Sequence, residues 1–529
     1  MPLPDKEIVI RGSGKYPYVY KILTTYRNEK GQPDNTRKSI GRFDAESGML
    51  IPNDRYWEYY GNIASTPELF MTDEAQPFEV RSVGATFLIG KILESLGIAG
   101  ILDNIFGKDK ASVIKTAVMY MVCRGNVFEH IFDWHESYTH KEAVLTSQGS
   151  SLLFSSITFE ERMSFFKEWV SRQSGNEHIA YDVTSFSSYA TGIEETEWGY
   201  NRDKEKLPQV NFGCYLGQET GLPLFYVTYP GSIVDKSHMQ YMMAFNEPLG
   251  IKNVCFVMDR GFCKTTNVEY MHSEKLSYIM GIDASHKSTR SAIDKVREGI
   301  VSMRNLASTD TYARSVRSRF YGRTSVMHIF FDPELAEHDR RDLYRLVNSK
   351  DEKLRQLEQL TKKEAKRYRN FFDIVLAKDG SFEYEHNYEK IDAAAKNSGF
   401  FCLLTNTNSE SAEVLSTYRR KDVIEKGFDD LKNHIDMKRL RTHSSSTTDG
   451  KMFCAFIALI AALEMVNRLS DFMKEKSFSK GAVIKEMEKI KIVFMGNGKR
   501  LINPVTKTQR TILESCGFSE NDVKSYVEH

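Results

Sequence analysis

The spacing of hydrophobic positions changes character several times along the chain. Near the N-terminus, Tyr18, Tyr20, Ile22 and Thr24 alternate with Val19, Lys21, Leu23 and Thr25. A period of two in a β-branched, aromatic run predicts a strand. Asn28 to Gly31 reads as a turn, and 36–41 and 49–51 as two further strands. From about residue 80 the period lengthens to that of a helix, over 83–96, 111–122 and 158–170. The third of these opens with Thr158 and carries Glu161 three residues later, the pattern of a capping box. At His178 the short period returns. Strands are predicted at 179–187, 209–216, 224–229, 254–258 and 277–282, with helices after the third and fourth, so the order is β-β-β-α-β-α-β.

Residues 284–398 interrupt this alternation. Strands are predicted at 315–319 and 325–331. Asp332 and Pro333 start a charged helix, with proline at the first helical position, and further strands follow near 374–376 and 381–385. The alternation resumes with a buried strand at 399–405, a helix over 416–439, and an apolar helix over 449–469. The pattern predicts an α/β fold: a mixed sheet flanked by helices, interrupted by an α+β insertion. The domain organisation reads as a β-rich module over 1–75 and a helical, possibly DNA-binding region over 76–175. A sheet core follows over 176–283, then an insertion over 284–398. The second part of the core covers 399–470, and a basic C-terminal region 471–529.

Composition narrows this picture only locally. The 529 residues carry a formal net charge of +1, which does not mark a nucleic-acid binder. The distribution is uneven: 311–370 holds 15 Lys/Arg against 9 Asp/Glu, and 472–510 holds 10 against 3. Arg27, Lys30, Arg37, Lys38 and Arg42 cluster in the N-terminal module, and a cationic β-ribbon can lie against a duplex. A solvated hairpin is the other reading of the same residues. Seven cysteines show no Cys-x-x-Cys pair, which fits reduced thiols in a cytoplasm and argues against a structural zinc site. The longest apolar run, Met452–Leu463, is too short to span a bilayer. No signal peptide is expected, and no membrane association.

The candidate chemistry centres on the 416–439 helix. At about 100° per residue, Tyr418, Lys421, Glu425 and Lys432 fall within about 60° of one another. Ile424, Phe428, Leu431 and Ile435 form a core stripe beside them. One carboxylate thus sits among two cations and a phenol at the edge of a buried surface, an arrangement suited to metal ligation with phosphate-gripping neighbours. A surface helix laced with salt bridges is the alternative. Two aspartates lie in otherwise apolar strands: Asp182 inside the first core strand and Asp259 at the end of the fourth. A strand aspartate is costly unless paired or metal-bound, although Asp259 could simply cap the following turn. Three converging carboxylates bind hard cations such as Mg²⁺ or Mn²⁺, and a pair of such ions serves phosphodiester chemistry.

Together these features resemble the DDE transposases of bacterial insertion sequences, built on an RNase H-like core. The resemblance covers roughly 175–470. The helix resembles the Y-x2-R-x3-E-x6-K signature of the fourth insertion-sequence superfamily. Here the signature is Tyr418, Lys421, Glu425 and Lys432, with lysine replacing the family's arginine. Tyr181–Phe186 resembles the first-acid strand and Met258–Phe262 the second-acid strand and turn. Residues 199–210 resemble the family's Gly-Tyr-Ser-Lys-Asp loop, with Asn201 and Arg202 substituted. The resemblance implies a Mg²⁺-dependent cut at the ends of an element, with Mn²⁺ able to substitute, followed by attack of a 3′ hydroxyl on target DNA. It implies Asp182, Asp259 and Glu425 as metal ligands, and Tyr418, Lys421 and Lys432 as phosphate contacts. Trp198, in the loop after the first strand, could stack on an unpaired base or pack inside. Double-stranded DNA, a homodimer in the active complex, and a bacterial, nucleoid-associated setting are the implied context.

Two other readings stay open at this level: an RNase H-fold nuclease that does not transfer strands, and a catalytically silent, DNA-binding descendant of a transposase. An unrelated small-substrate enzyme is disfavoured, because neither G-x-G-x-x-G nor a Walker-type loop is present.

Overall fold

The computed structural model describes residues 2–4, 6–13, 16–28, 30–53, 55–56, 59–60, 78–173, 178–201, 203, 205–284, 286–495 and 499–528. The sequence expectations on Glu29, Arg202, Lys204 and residues 61–77 lie outside these. The chain divides into two compact units, 1–165 with 429–529, and 166–428.

The first unit opens with a four-stranded antiparallel sheet, β1 (Ile8–Arg11), β2 (Tyr18–Arg27), β3 (Pro33–Asp44) and β4 (Met49–Pro52), in that order. β1 was not expected; at four residues it is too short to show a period. Val19, Ile40 and Leu50 pack on Tyr56 and Tyr60 to make a small core on one face. Helices follow, and the 158–161 capping box forms with both reciprocal bonds, 3.2 and 2.8 Å. The expected 449–469 helix is longer, Ser445–Lys476. By length and composition it could cross a membrane, but 78% of its apolar window is buried inside the protein. β5 (Phe78–Ser82) pairs with Lys491–Met495, a strand from the far end of the chain.

The second unit is built on an eight-stranded mixed sheet. Its strands are β6 (His178–Ser187), β7 (Gln209–Gly217), β8 (Pro223–Pro230), β9 (Cys255–Met258) and β10 (Ser277–Ile282). They continue with β11 (Tyr312–Phe320), β12 (Arg323–Phe331) and β15 (Phe400–Thr405); β13 (Phe372–Leu376) and β14 (Phe382–His386) form a separate hairpin. The spatial order is β11-β12-β15-β10-β9-β6-β7-β8. β8, β7 and β6 are antiparallel, while β9 and β10 run parallel to β6. The run β8-β7-β6-β9-β10 is therefore the third-second-first-fourth-fifth order of an RNase H-like core. The parallel pairs need crossovers, supplied by Asp235–Met243 and Thr265–Ser273.

The interruption after β10 divides in two. β11 and β12 join the main sheet through β15. Only the later part builds its own core, with Val347, Leu354, Leu360, Phe372, Ile374 and Ile391 at its centre. The expected helix start holds: Asp332 caps Pro333–Arg355 by accepting from the Glu334 and Leu335 amides.

The helix expected over 416–439 is not continuous. It is built as Ser411–Arg419, Asp422–Asp429 and a π-helical turn Asp430–His434. At the interruption the Lys421 amide bonds the Tyr418 carbonyl and the Ile424 amide bonds that of Lys421, three residues back in each case. Asp436, at φ 60°, follows the end. The apolar stripe is nevertheless right: Ile424, Phe428, Leu431 and Ile435 are all buried.

Candidate active site

Three secondary-structure elements of the 166–428 unit carry the three acids. β6 and β9 are parallel neighbours in which Tyr181 stands opposite Met258. The residues that follow are Asp182, inside β6, and Asp259, just past the end of β9, so the register sets the two aspartates side by side. Asp259 thus stands at a strand end, where an open α/β sheet exposes its reactive groups. Asp259 ends β9 and its Oδ1 accepts from the Arg260 amide at 2.8 Å, capping a short 3₁₀ turn. The same oxygen accepts from the Tyr418 hydroxyl at 3.3 Å. The capping reading of Asp259 thus holds.

Lys421 is the centre of the arrangement. Its side chain is 7% exposed, and its ammonium donates to Glu425 Oε1 at 3.0 Å. Burial pulls its pKa down, but Asp182, Glu425 and Asp259 together outweigh that and hold it above its ordinary value. A buried lysine keeps its charge only with such partners. Glu425 itself is 62% exposed.

Tyr418 is fixed from behind. Its ring packs on a cluster that includes Val257, Ile279 and Leu403. Burial, with Asp259 and Glu425 nearby, raises its phenol well above the usual range, so it stays a donor. Gly281 on β10 makes this possible. A Cβ there would stand 2.8 Å from the Tyr418 hydroxyl oxygen and 2.9 Å from the Arg260 amide nitrogen. Neither Gly281 nor Arg260 was singled out from the sequence. The only available signal was a glycine inside an otherwise apolar strand.

Lys432 is buried in the π-helical turn and belongs to the other compact unit. The helix interruption and the π turn replace the uniform 100° step expected between Tyr418 and Lys432. Trp198 is 67% exposed, so the packed alternative is excluded. It projects beside Tyr200, 83% exposed. Their loop is pinned at Gly199, where a Cβ would collide with the Gly231 carbonyl, and by a 2.9 Å bond from Gln209 Nε2 to the Tyr200 carbonyl.

The three candidate carboxylates are hard oxygen ligands of the kind that suits a divalent cation. Among the described residues no group of three ligand-type side chains stands at coordination spacing; Glu425 is held on Lys421 instead. All seven cysteines are free thiols.

Comparison with known proteins supplies the family. Nothing among curated proteins matches the sequence. Among solved structures, the fold is similar to a piggyBac transposase in a synaptic complex with hairpin DNA. That likeness has 9% identity and a TM-score of 0.38, covering 80% of this chain and 73% of that one. The family model for the transposase DDE domain matches residues 173–461, more than half of the chain and the whole span that carries the three acids. The chain belongs to the DDE-domain transposases.

Proposed function

We propose that the protein cuts DNA at the ends of an insertion sequence of the fourth superfamily and joins those ends to target DNA, with Asp182, Asp259 and Glu425 as the reactive triad. The observations that carry this reading are the 3.0 Å pair of buried Lys421 with Glu425, the 3.3 Å bond from Tyr418 to Asp259, and the parallel register that sets Asp182 beside Asp259. Bound Mg²⁺ or Mn²⁺, held by the three carboxylates, supplies charge stabilisation at the attacking and leaving oxygens of a phosphodiester. The chain's own residues do the rest. Asp182 and Asp259 hold a fixed edge of the site, because strand register leaves them little freedom. Glu425 supplies a mobile third carboxylate from its exposed helix. Lys421, released from Glu425, is placed to grip a phosphate oxygen beside the scissile bond, as a point charge rather than a fork. Tyr418 orients Asp259 and keeps its proton. Trp198 offers an exposed stacking face for an unpaired base. Lys432 as a phosphate contact, a homodimer in the active complex, and a bacterial cytoplasmic setting complete the proposal.

The test is a cleavage and strand-transfer assay on labelled duplexes carrying the ends that flank the gene, with Mg²⁺, Mn²⁺ or EDTA. Metal-dependent cutting at the end boundary with joined products is the expected result. Cutting without joining establishes a nuclease instead. Specific binding with no cutting establishes a silent descendant.

A further inference from the structure

The N-terminal sheet has a second face that its small core does not use. β2 alternates without a break from Tyr18 to Ile22: Val19 and Lys21 turn to the core side, where Lys21 meets Tyr60 at 3.2 Å and Glu7 at 3.6 Å. Tyr18 and Tyr20 turn the other way. Cross-strand register extends that open face over three strands. Arg11 on β1 and Arg42 on β3 flank Tyr18, and Arg37 on β3 pairs with Ile22 on the same side. Strands in a sheet are about 4.8 Å apart, so Arg11 and Arg42 stand roughly 10 Å apart across Tyr18. Arg11, Tyr18 and Arg42 are exposed. Among the described residues no carboxylate pairs with any of the three arginines. Exposed arginines without partner acids, in one plane, are a surface waiting for an anion array.

The tyrosines decide which array. Arg42 lies over the Tyr18 ring at 4.6 Å and donates to its hydroxyl at 2.7 Å; Arg37 lies over Tyr20 at 5.6 Å. The rings are capped by guanidiniums, so they are not open platforms for unstacked bases. They act as braces that hold the guanidiniums in place with their remaining N–H donors outward. Fixed forks suit phosphate oxygens, and a flat face of them suits the backbone of a duplex rather than a single strand. We propose that the open face of β1–β3 is a duplex-DNA docking surface, with Arg11, Arg37 and Arg42 as phosphate contacts. It belongs to a different unit from the acid cluster and does not depend on the reading of that cluster.

The test uses the full chain and a fluorescent random-sequence duplex of about 30 base pairs, in EDTA so that no strand is cut. Affinity is followed from about 50 to about 200 mM salt. Each lost phosphate contact is expected to lower the slope of log affinity against log salt by about 0.9. Arg11→Ala/Arg37→Ala/Arg42→Ala should lower it by about 2.7 and weaken binding about 30-fold or more at the upper salt. Arg11→Ala/Arg37→Ala, which keeps the Arg42–Tyr18 brace, should lower it by about 1.8. Replacing all three by lysine should restore most of the slope. Melting curves of each variant show whether the sheet stays folded, and the double variant decides if the triple does not. An unchanged slope in a folded double variant overturns the proposal. So does a preference for single-stranded DNA or RNA of the same length that vanishes in the variants. The metal-dependent cutting assay reads the acid cluster separately.

Discussion

The two sheets of this molecule treat charge in opposite ways. Beside the β6–β15 sheet, buried Lys421 pairs with Glu425 and Tyr418 bonds Asp259, so each charge depends on a partner. The β1–β4 sheet carries three guanidiniums on one face, two of them braced by aromatic rings, where each acts almost alone. Buried, coupled charge stores the potential for chemistry, because the group that breaks one pairing must make another. Exposed, independent charge supplies adhesion that salt can titrate away. Substitutions should therefore have large, non-additive effects in the first sheet and small, additive ones in the second.

The largest expected effect is at Glu425. Glu425→Gln keeps the shape but removes the charge, and strand cleavage should fall by about a thousandfold or more, within the range seen when reactive groups are removed. Because Glu425 is exposed, melting temperature should hardly move; a variant that melts far lower would make the residue structural. Next comes Gly281→Ala. The added methyl meets a backbone nitrogen as well as the Tyr418 hydroxyl, so the Asp259 turn or the 411–419 helix must shift. Activity should drop by roughly a hundredfold, since a misplacement of about 1 Å costs that much. Tyr418→Phe keeps the ring in its apolar pocket and loses only the bond to Asp259. It should cost about tenfold in cleavage, the equivalent of one ordinary hydrogen bond. If Tyr418→Phe proved worse than Gly281→Ala, the positioning account of Gly281 would fail.

The smallest effect is on stability alone. His328 on β12 is buried, and burial lowers its pKa to about 4. The unfolded chain takes up a proton near pH 6.5 and the folded one only near 4, so stability declines as pH falls through that window. The loss approaches about 3 kcal/mol at the acid end. Denaturant titrations at pH 7 and pH 4.5 should show it, and His328→Gln should flatten the pH dependence.

The contrast between the two regions also explains what could be read in advance. Asp182 and Asp259 stand out in the sequence because each is a lone charge in an apolar strand, and Glu425 because its helix carries both a core stripe and a charged one; their shared role is the proposal. The strand order of the core followed from the alternation of periods. The pairing of β5 with 491–495 did not, because about 410 residues separate partners that have no local signature. The same holds for β11 and β12, whose strand character was visible but whose place at the edge of the main sheet was not. The break in the 416–439 helix was not legible, because a uniform helical step cannot anticipate a three-residue tightening at Arg420 and Lys421 or a π turn at Asp430. In the N-terminal module the cations were visible, yet which of them share a face depends on Ile40, the extra residue opposite Val19 and Tyr20. Such a bulge leaves little trace in a single sequence.

The central claim is that Asp182, Asp259 and Glu425 make one site. The most direct measurement is Mn²⁺ binding, by calorimetry or by the spin resonance of the free ion, to the full chain and to Asp182→Asn, Asp259→Asn and Glu425→Gln in turn. Each single substitution should weaken Mn²⁺ binding by at least about tenfold while leaving duplex affinity in EDTA unchanged. Mn²⁺ affinity that ignores all three substitutions in folded protein would contradict the account.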